Sequence, residues 1–129
     1  MFARKVAVRL KANSLKQFVN LMEREVLPWL RMQNGFLDLI TLATPDGNEV
    51  QVLSFWNQEG DAQAHYSSAY PTALKILETV LGGVPHVKTF DVVRSTVEQL
   101  RSSQPQAIQD EHEQASPEKL GHGPYEAAV

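Results

Sequence analysis

Two neighbouring runs, Phe36 to Ala43 and Glu49 to Trp56, constrain this chain more than any other stretch, because each carries apolar residues on both faces of an extended backbone. In the first, Phe36, Ile40 and Leu42 oppose Leu37 and Leu39; in the second, Val50, Val52 and Trp56 oppose Leu53 and Phe55. A strand with one polar face can rest that face in water, but these two cannot. Any sheet built from them needs cover on both sides. Between them Thr44-Pro45-Asp46-Gly47 is a turn with a mechanism: Pro45 sets φ at its second position and Gly47 releases the steric limit at its fourth. The pair is therefore an antiparallel hairpin.

The rest of the chain supplies cover. Phe2 to Lys11 alternates, with Phe2, Val6, Val8 and Leu10 on one face and Lys5, Ala7, Arg9 and Lys11 on the other, the period of a half-buried strand. Ser14 to Gln17 reads as a capping box, followed by a helical stripe of Leu15, Phe18, Val19, Met22, Val26, Trp29 and Leu30. Pro28 inside that stripe predicts a kink one turn before the helix ends, and Asn34-Gly35 predicts a left-handed stop. After the hairpin, Asn57 caps a helix with Glu59 and Asp61 in its first turn. Pro71 then opens a second helix along Ala73, Leu74, Leu77, Val80 and Leu81, stopped by Gly82-Gly83. His86 to Thr96 is a last strand.

The order β, α, β, β, broken α, β is the split βαβ plan of an α+β ferredoxin-like domain, βαββαβ, with a four-stranded antiparallel sheet and both helices on one face. The helices leave the other face bare. Because the middle strands are apolar there too, the expectation is a homodimer that packs sheet against sheet into a dimeric α/β barrel.

The chain has 129 residues, enough for one domain at 1–97 and a tail at 98–129. From Ser102 to Val129 the composition turns to Gln, Glu, Ser, Pro and Gly, too little apolar surface to fold alone, so the tail is expected to be disordered or laid on the partner subunit. A net charge of -3 argues against nucleic acid as partner, and the absence of cysteine excludes disulfides, thiolate nucleophiles and Cys-based metal sites. The opening MFARKVAVRLK lacks the apolar core of a signal peptide or membrane span, which points to a cytoplasmic protein without membrane attachment. Arg4, Lys5, Arg9 and Lys11 read as a basic solvated or subunit-crossing strand face, with Asp91 a candidate partner for one of them. His86, His112 and His122 are scattered, Glu111-His112-Glu113 lies in the tail, and Gly82-Gly83 follows a helix instead of opening one. No metal and no nucleotide or other cofactor is expected.

The candidate chemistry gathers where the second hairpin strand meets the next helix. His65 and Tyr66 share a helix turn with Ala62 and Ala69 and face the sheet. A histidine there is either a base for a phenol or enol or a ring whose nitrogens are satisfied at the edge of the core. Trp56 either stacks on a flat ligand or closes the end of the sheet. Tyr70, held extended by Pro71, sends its hydroxyl to a pocket mouth or to solvent. Trp29 belongs to the core or to a dimer rim.

The stretch LSFWNQEGDAQAHYSSAYP, residues 53 to 71, resembles the antibiotic biosynthesis monooxygenase-like family of small dimeric α/β barrels, as does the element order from about residue 2 to 96. That resemblance implies the same fold and dimer, and in quinone-forming members an oxygenase that needs neither metal nor flavin. Members that degrade haem carry an Asn, a Trp and a ligating His at positions falling near Val6, His65 and Lys75, and this sequence matches none of them. The expected protein is then a cofactor-independent monooxygenase-like dimer taking a small aromatic or polyketide-like molecule, with His65 catalytic and Trp56, Tyr66 and Tyr70 lining the pocket. The alternative is a non-catalytic dimeric small-ligand-binding or stress-associated protein.

Overall fold

The alternation at the start of the chain forms the inner strand β1 (Phe2–Arg9), which pairs antiparallel with β3 (Glu49–Trp56) on one side and β4 (His86–Asp91) on the other. β2 (Phe36–Ala43) pairs antiparallel with β3, so the four-stranded sheet runs β2-β3-β1-β4. The structure is a computed structural model that describes residues 1–97; the expected tail, 98–129, lies outside the described residues. Helices α1 (Leu15–Leu21) and α2 (Leu27–Leu30), joined by a π-helical turn at Met22–Val26, connect β1 to β2. Helices α3 (Glu59–Ser68) and α4 (Tyr70–Leu77) connect β3 to β4. This is the ferredoxin-like α+β arrangement expected from the order of elements.

The hairpin turn closes as the sequence requires. The Gly47 N–H donates to the Thr44 carbonyl at 2.8 Å with φ of 75°, and the Asp46 carboxylate accepts from the Asn48 N–H and the Thr44 hydroxyl, which holds its pKa below the ordinary value. At the other end of β2, Gly35 takes φ of 79°, and a Cβ there would collide with the Asp61 side chain. The Gly35 carbonyl accepts from the Asn57 N–H at 2.8 Å. That bond holds Asn57 to the strand exit, so the helix is capped one residue later than expected, by the extended backbone of Gln58.

The first crossover departs from a kinked α-helix in an informative way. Phe18, Met22, Val26 and Leu30 are all buried at four-residue spacing, whereas an α-helical turn takes 3.6 residues, so such a stripe would wind away from the sheet. The wider π turn absorbs the excess and keeps all four side chains inward. Pro28 follows in the first turn of α2, where a missing N–H costs little; the irregularity therefore precedes the proline. Val19, expected on the stripe, is exposed. The capping box does not form: the Ser14 backbone is not extended, and its hydroxyl donates back to the Ala12 carbonyl at 3.3 Å.

The two apolar faces of the hairpin serve two clusters. Val50, Val52 and Trp56 pack with the helices, while Leu53 and Phe55 pack with Ala3 on the opposite side. In β2 a bulge between Phe36 and Asp38 shifts the register, so Phe36 shares the helix face with Leu39, and Leu37 joins Ile40 on the other. Simple alternation had placed Phe36 with Ile40. β4 stops at Asp91 rather than Thr96, because Asp91 already pairs with Phe2, the first residue of β1. The Val92 N–H donates to the Met1 carbonyl, and Val92 and Val97 pack against the second face of the sheet. That face is therefore not left bare by the chain itself, although Leu42 and Phe90 remain 46% and 41% exposed.

Candidate functional site

Between the sheet and the helices lies a cavity of about 70 Å³ open to the centre of a water molecule. One water needs roughly 10–15 Å³ on that measure, so the space holds several waters and is more than a packing gap. Most of its wall is apolar, with Phe18, Met22 and Leu77 from the helices and Val6, Leu39 and Val52 from the sheet. Its polar side chains are Arg4, Ser54, His65 and Tyr70.

Arg4 is the residue that the sequence reading placed elsewhere. The expectation is a solvated or subunit-crossing basic face, yet Arg4 is 3% exposed within its own chain. The reason is parity: Arg4 shares the face of β1 that holds Phe2, Val6 and Val8, so its stem runs under the helices. Nη1 donates to the Ala62 carbonyl at 3.0 Å, Nη2 donates to Gln63 Oε1 at 3.2 Å, and the guanidinium lies 4.6 Å from the Tyr66 ring centroid. Its Nε is buried with no hydrogen-bond partner. Of the other basic residues on β1, Arg9 pairs with Glu49 at 3.4 Å across two exposed side chains; the expected ion pair to Asp91 is not formed.

His65 projects from α3, with its ring stacked on Trp56 at 5.2 Å between centroids. Its Nδ1 is buried without a partner. Burial, and then the charge of Arg4, push its pKa down to about 4, so the ring is neutral at physiological pH. Trp56 is fully buried. It meets Phe36 edge-on at 5.5 Å, and its indole N–H donates to the Ser54 hydroxyl at 2.9 Å. Trp56 thus backs His65 and lies behind the cavity wall. Tyr70 borders the cavity, and burial raises its hydroxyl pKa. Tyr66 is 40% exposed, stacks on Tyr70 at 4.9 Å and carries the Arg4 guanidinium over its ring, so it supports the wall from outside. Among the described residues no group of three or more His, Asp or Glu side chains is placed to hold a metal ion.

The site's residues therefore fall into a cavity border of Arg4, His65 and Tyr70 and a supporting layer of Trp56 and Tyr66. The signal for Arg4 was present in the alternation of β1. Position 4 has the parity of Phe2, Val6 and Val8, which places its side chain on their face.

No protein-family model matches the sequence, and no curated protein is similar to it. Solved structures are. A Nitrosomonas europaea protein proposed to be an antibiotic biosynthesis monooxygenase is 15% identical, with a TM-score of 0.61 over 71% of this chain and 89% of that one. A monooxygenase from the gene ActVA-Orf6 of Streptomyces coelicolor, solved in complex with nanaomycin D, is 22% identical, with a TM-score of 0.58 over 69% and 84%. SnoaB, a cofactor-independent oxygenase from Streptomyces nogalater, is 11% identical, with a TM-score of 0.62 over 73% and 94%. The chain has the fold of these antibiotic biosynthesis monooxygenase structures. No helix among the described residues is long and apolar enough to cross a membrane.

Proposed function

We propose that this chain is a homodimeric, monooxygenase-like protein that binds a small aromatic or polyketide-like molecule between sheet and helices and oxidises it with O₂, using neither metal nor flavin. One observation carries the reading: a mostly apolar cavity between sheet and helices is bordered by His65, whose buried Nδ1 has no hydrogen-bond partner. The named activities of the structurally similar oxygenases support the reaction class. In such a reaction a phenol or enol loses a proton, its anion reacts with O₂, and an activated methylene becomes a carbonyl; one oxygen atom stays on carbon and the other leaves as water. His65 is the candidate base, Tyr70 borders the ligand, and Trp56 and Tyr66 hold these two rings in place. A dry apolar wall favours the step by keeping water from the reactive anion.

Oxygen uptake tests the reading. With a hydroxylated anthrone as substrate, the protein should consume O₂ above the spontaneous rate, with one quinone formed per O₂, and His65→Phe should reduce the rate at least tenfold while remaining folded. A second reading, small-ligand binding without catalysis, is favoured by the low pKa of His65, which makes it a weak resting base. Retention of the anthrone in native mass spectrometry with no O₂ uptake would establish that second reading over the first.

A further inference from the structure

Helix α3 is fastened to the sheet more by polar contacts than by apolar burial. Ala62 is its buried residue, Asp61 and His65 are half-buried, and the remaining residues are exposed. By contrast α4 buries Ala73 and Leu77, and the first crossover buries Phe18, Met22, Val26 and Leu30. What α3 has instead is Arg4. Its Nη1 and Nη2 donate to the Ala62 carbonyl and to Gln63 Oε1, and the Tyr66 ring lies against the guanidinium. Yet among the described residues no carboxylate lies within ion-pair distance of Arg4. Its Nε has no hydrogen-bond partner, and neither has Nδ1 of His65, a residue of the same helix. A desolvated cation and an unpartnered polar atom both recover hydration when the element above them lifts away, so docking of α3 is opposed by the groups beneath it. The helix has 10 residues, fewer than the roughly 12–15 that hold a helix in isolation, so once undocked it also unwinds.

We propose that α3 is a gate over the Arg4 end of the cavity, opening as a unit between Gln58 and Ala69, and that Arg4 with Gln63 is its latch, kept weak because the guanidinium meets an amide instead of a carboxylate. The ends of the unit follow from the backbone. Gln58 is extended, and Ala69, with φ of -106°, separates α3 from α4. Both ends are anchored: the Asn57 N–H donates to the Gly35 carbonyl, and Ala69 is buried. Arg4, Ser54 and His65 border the cavity at this end, and the Ser54 hydroxyl accepts from the Trp56 indole on which His65 stacks. Lifting α3 takes the His65 ring off Trp56 and uncovers that wall, while α4 and the first crossover keep the apolar lining in place. The gate goes beyond the reading above, because it holds whether the occupant of the cavity is oxidised or only bound.

Amide hydrogen exchange of the full chain, under conditions where it reports the open population, tests the gate. Amides of α3 should exchange roughly a hundredfold faster than those of β3, and faster than those of α4. Gln63→Glu supplies the missing carboxylate at the same reach, and because charged hydrogen bonds are the stronger ones it should slow α3 exchange roughly threefold or more without changing β3. In an Arg4→Met background the same substitution should slow nothing, which separates the ion pair from the effect of a negative charge on the helix itself. Access to the cavity is read separately. The chain contains no cysteine, so Ser54→Cys places a single thiol on the cavity wall. Its reaction with a soluble aromatic disulfide should slow on adding Gln63→Glu by the same factor as α3 exchange. Equal protection of α3 and β3 in the wild-type chain means that α3 opens only with the whole fold, and overturns the gate. Unchanged α3 exchange in Gln63→Glu, or the same slowing in the Arg4→Met background, removes the latch. A thiol rate that stays constant while α3 exchange slows overturns the link between the helix and the cavity. Exchange of the wild-type chain and of Gln63→Glu needs no change at Arg4, so a poorly folding Arg4→Met leaves the gate decided by those two.

Discussion

Acid should destabilise this protein through His65 in a calculable way. The groups acting on the ring are the Arg4 guanidinium from β1 and the uncharged Trp56 indole from β3. Only the imidazole changes charge near neutrality. Its pKa in the fold is about 4 against an ordinary 6.5, so as pH falls the unfolded chain takes up a proton at this residue before the folded chain does. Stability that is complete above the unfolded pKa is therefore lost between about pH 6.5 and 4, and below that no more is lost at this residue. At about 1.4 kcal/mol per tenfold the full shift would be about 3 kcal/mol by pH 4, and because the ring is only half-buried, solvent screening reduces the loss to roughly 1–2 kcal/mol. Other residues titrate in that window, so the comparison is with His65→Phe, which can still stack on Trp56 but cannot be protonated. Urea unfolding of both proteins at one fixed concentration, from pH 8 to 4, should give wild-type stability that falls by roughly 1–2 kcal/mol more than the variant's. Parallel curves would refute the burial and the Arg4 proximity from which the loss is derived. Arg4→Met should narrow the gap, because the second cause of the low pKa is gone.

Two further outcomes test the frame around the site. Gly35→Ala combines a left-handed φ with a collision at Asp61, and should cost more than about 1 kcal/mol in urea melts. In an Asp61→Gly background, which removes the colliding Cβ as well as the carboxylate, Gly35→Ala should cost only the φ term; no cost there would show that φ costs nothing at this site. Pairing of two sheets in the proposed dimer would cover Leu42 and Phe90, so Leu42→Lys with Phe90→Lys should convert that dimer to monomer in sedimentation velocity. A wild-type chain that is monomeric at micromolar concentration, or a double variant that remains dimeric, would refute that interface.

The sequence by itself determined the order of elements, the hairpin and its turn, the left-handed Gly35, and the two-faced character of β3, because each rests on period or on local turn chemistry. It also brought His65 and Trp56 to one end of the sheet, through the short link between β3 and α3. Tertiary structure decided what local period cannot encode. The bulge at Leu37 moved Phe36 to the helix face because pairing with Trp56 outweighed simple alternation. The π turn arose because four inward side chains had to remain against a flat sheet. β4 ended where β1 offered no further partner. Above all, only the packed structure turned Arg4 from a surface charge into a buried cation beside His65. A residue's place on a face can be read from its neighbours in the chain, but the absence of a counter-charge depends on every element that folds over it.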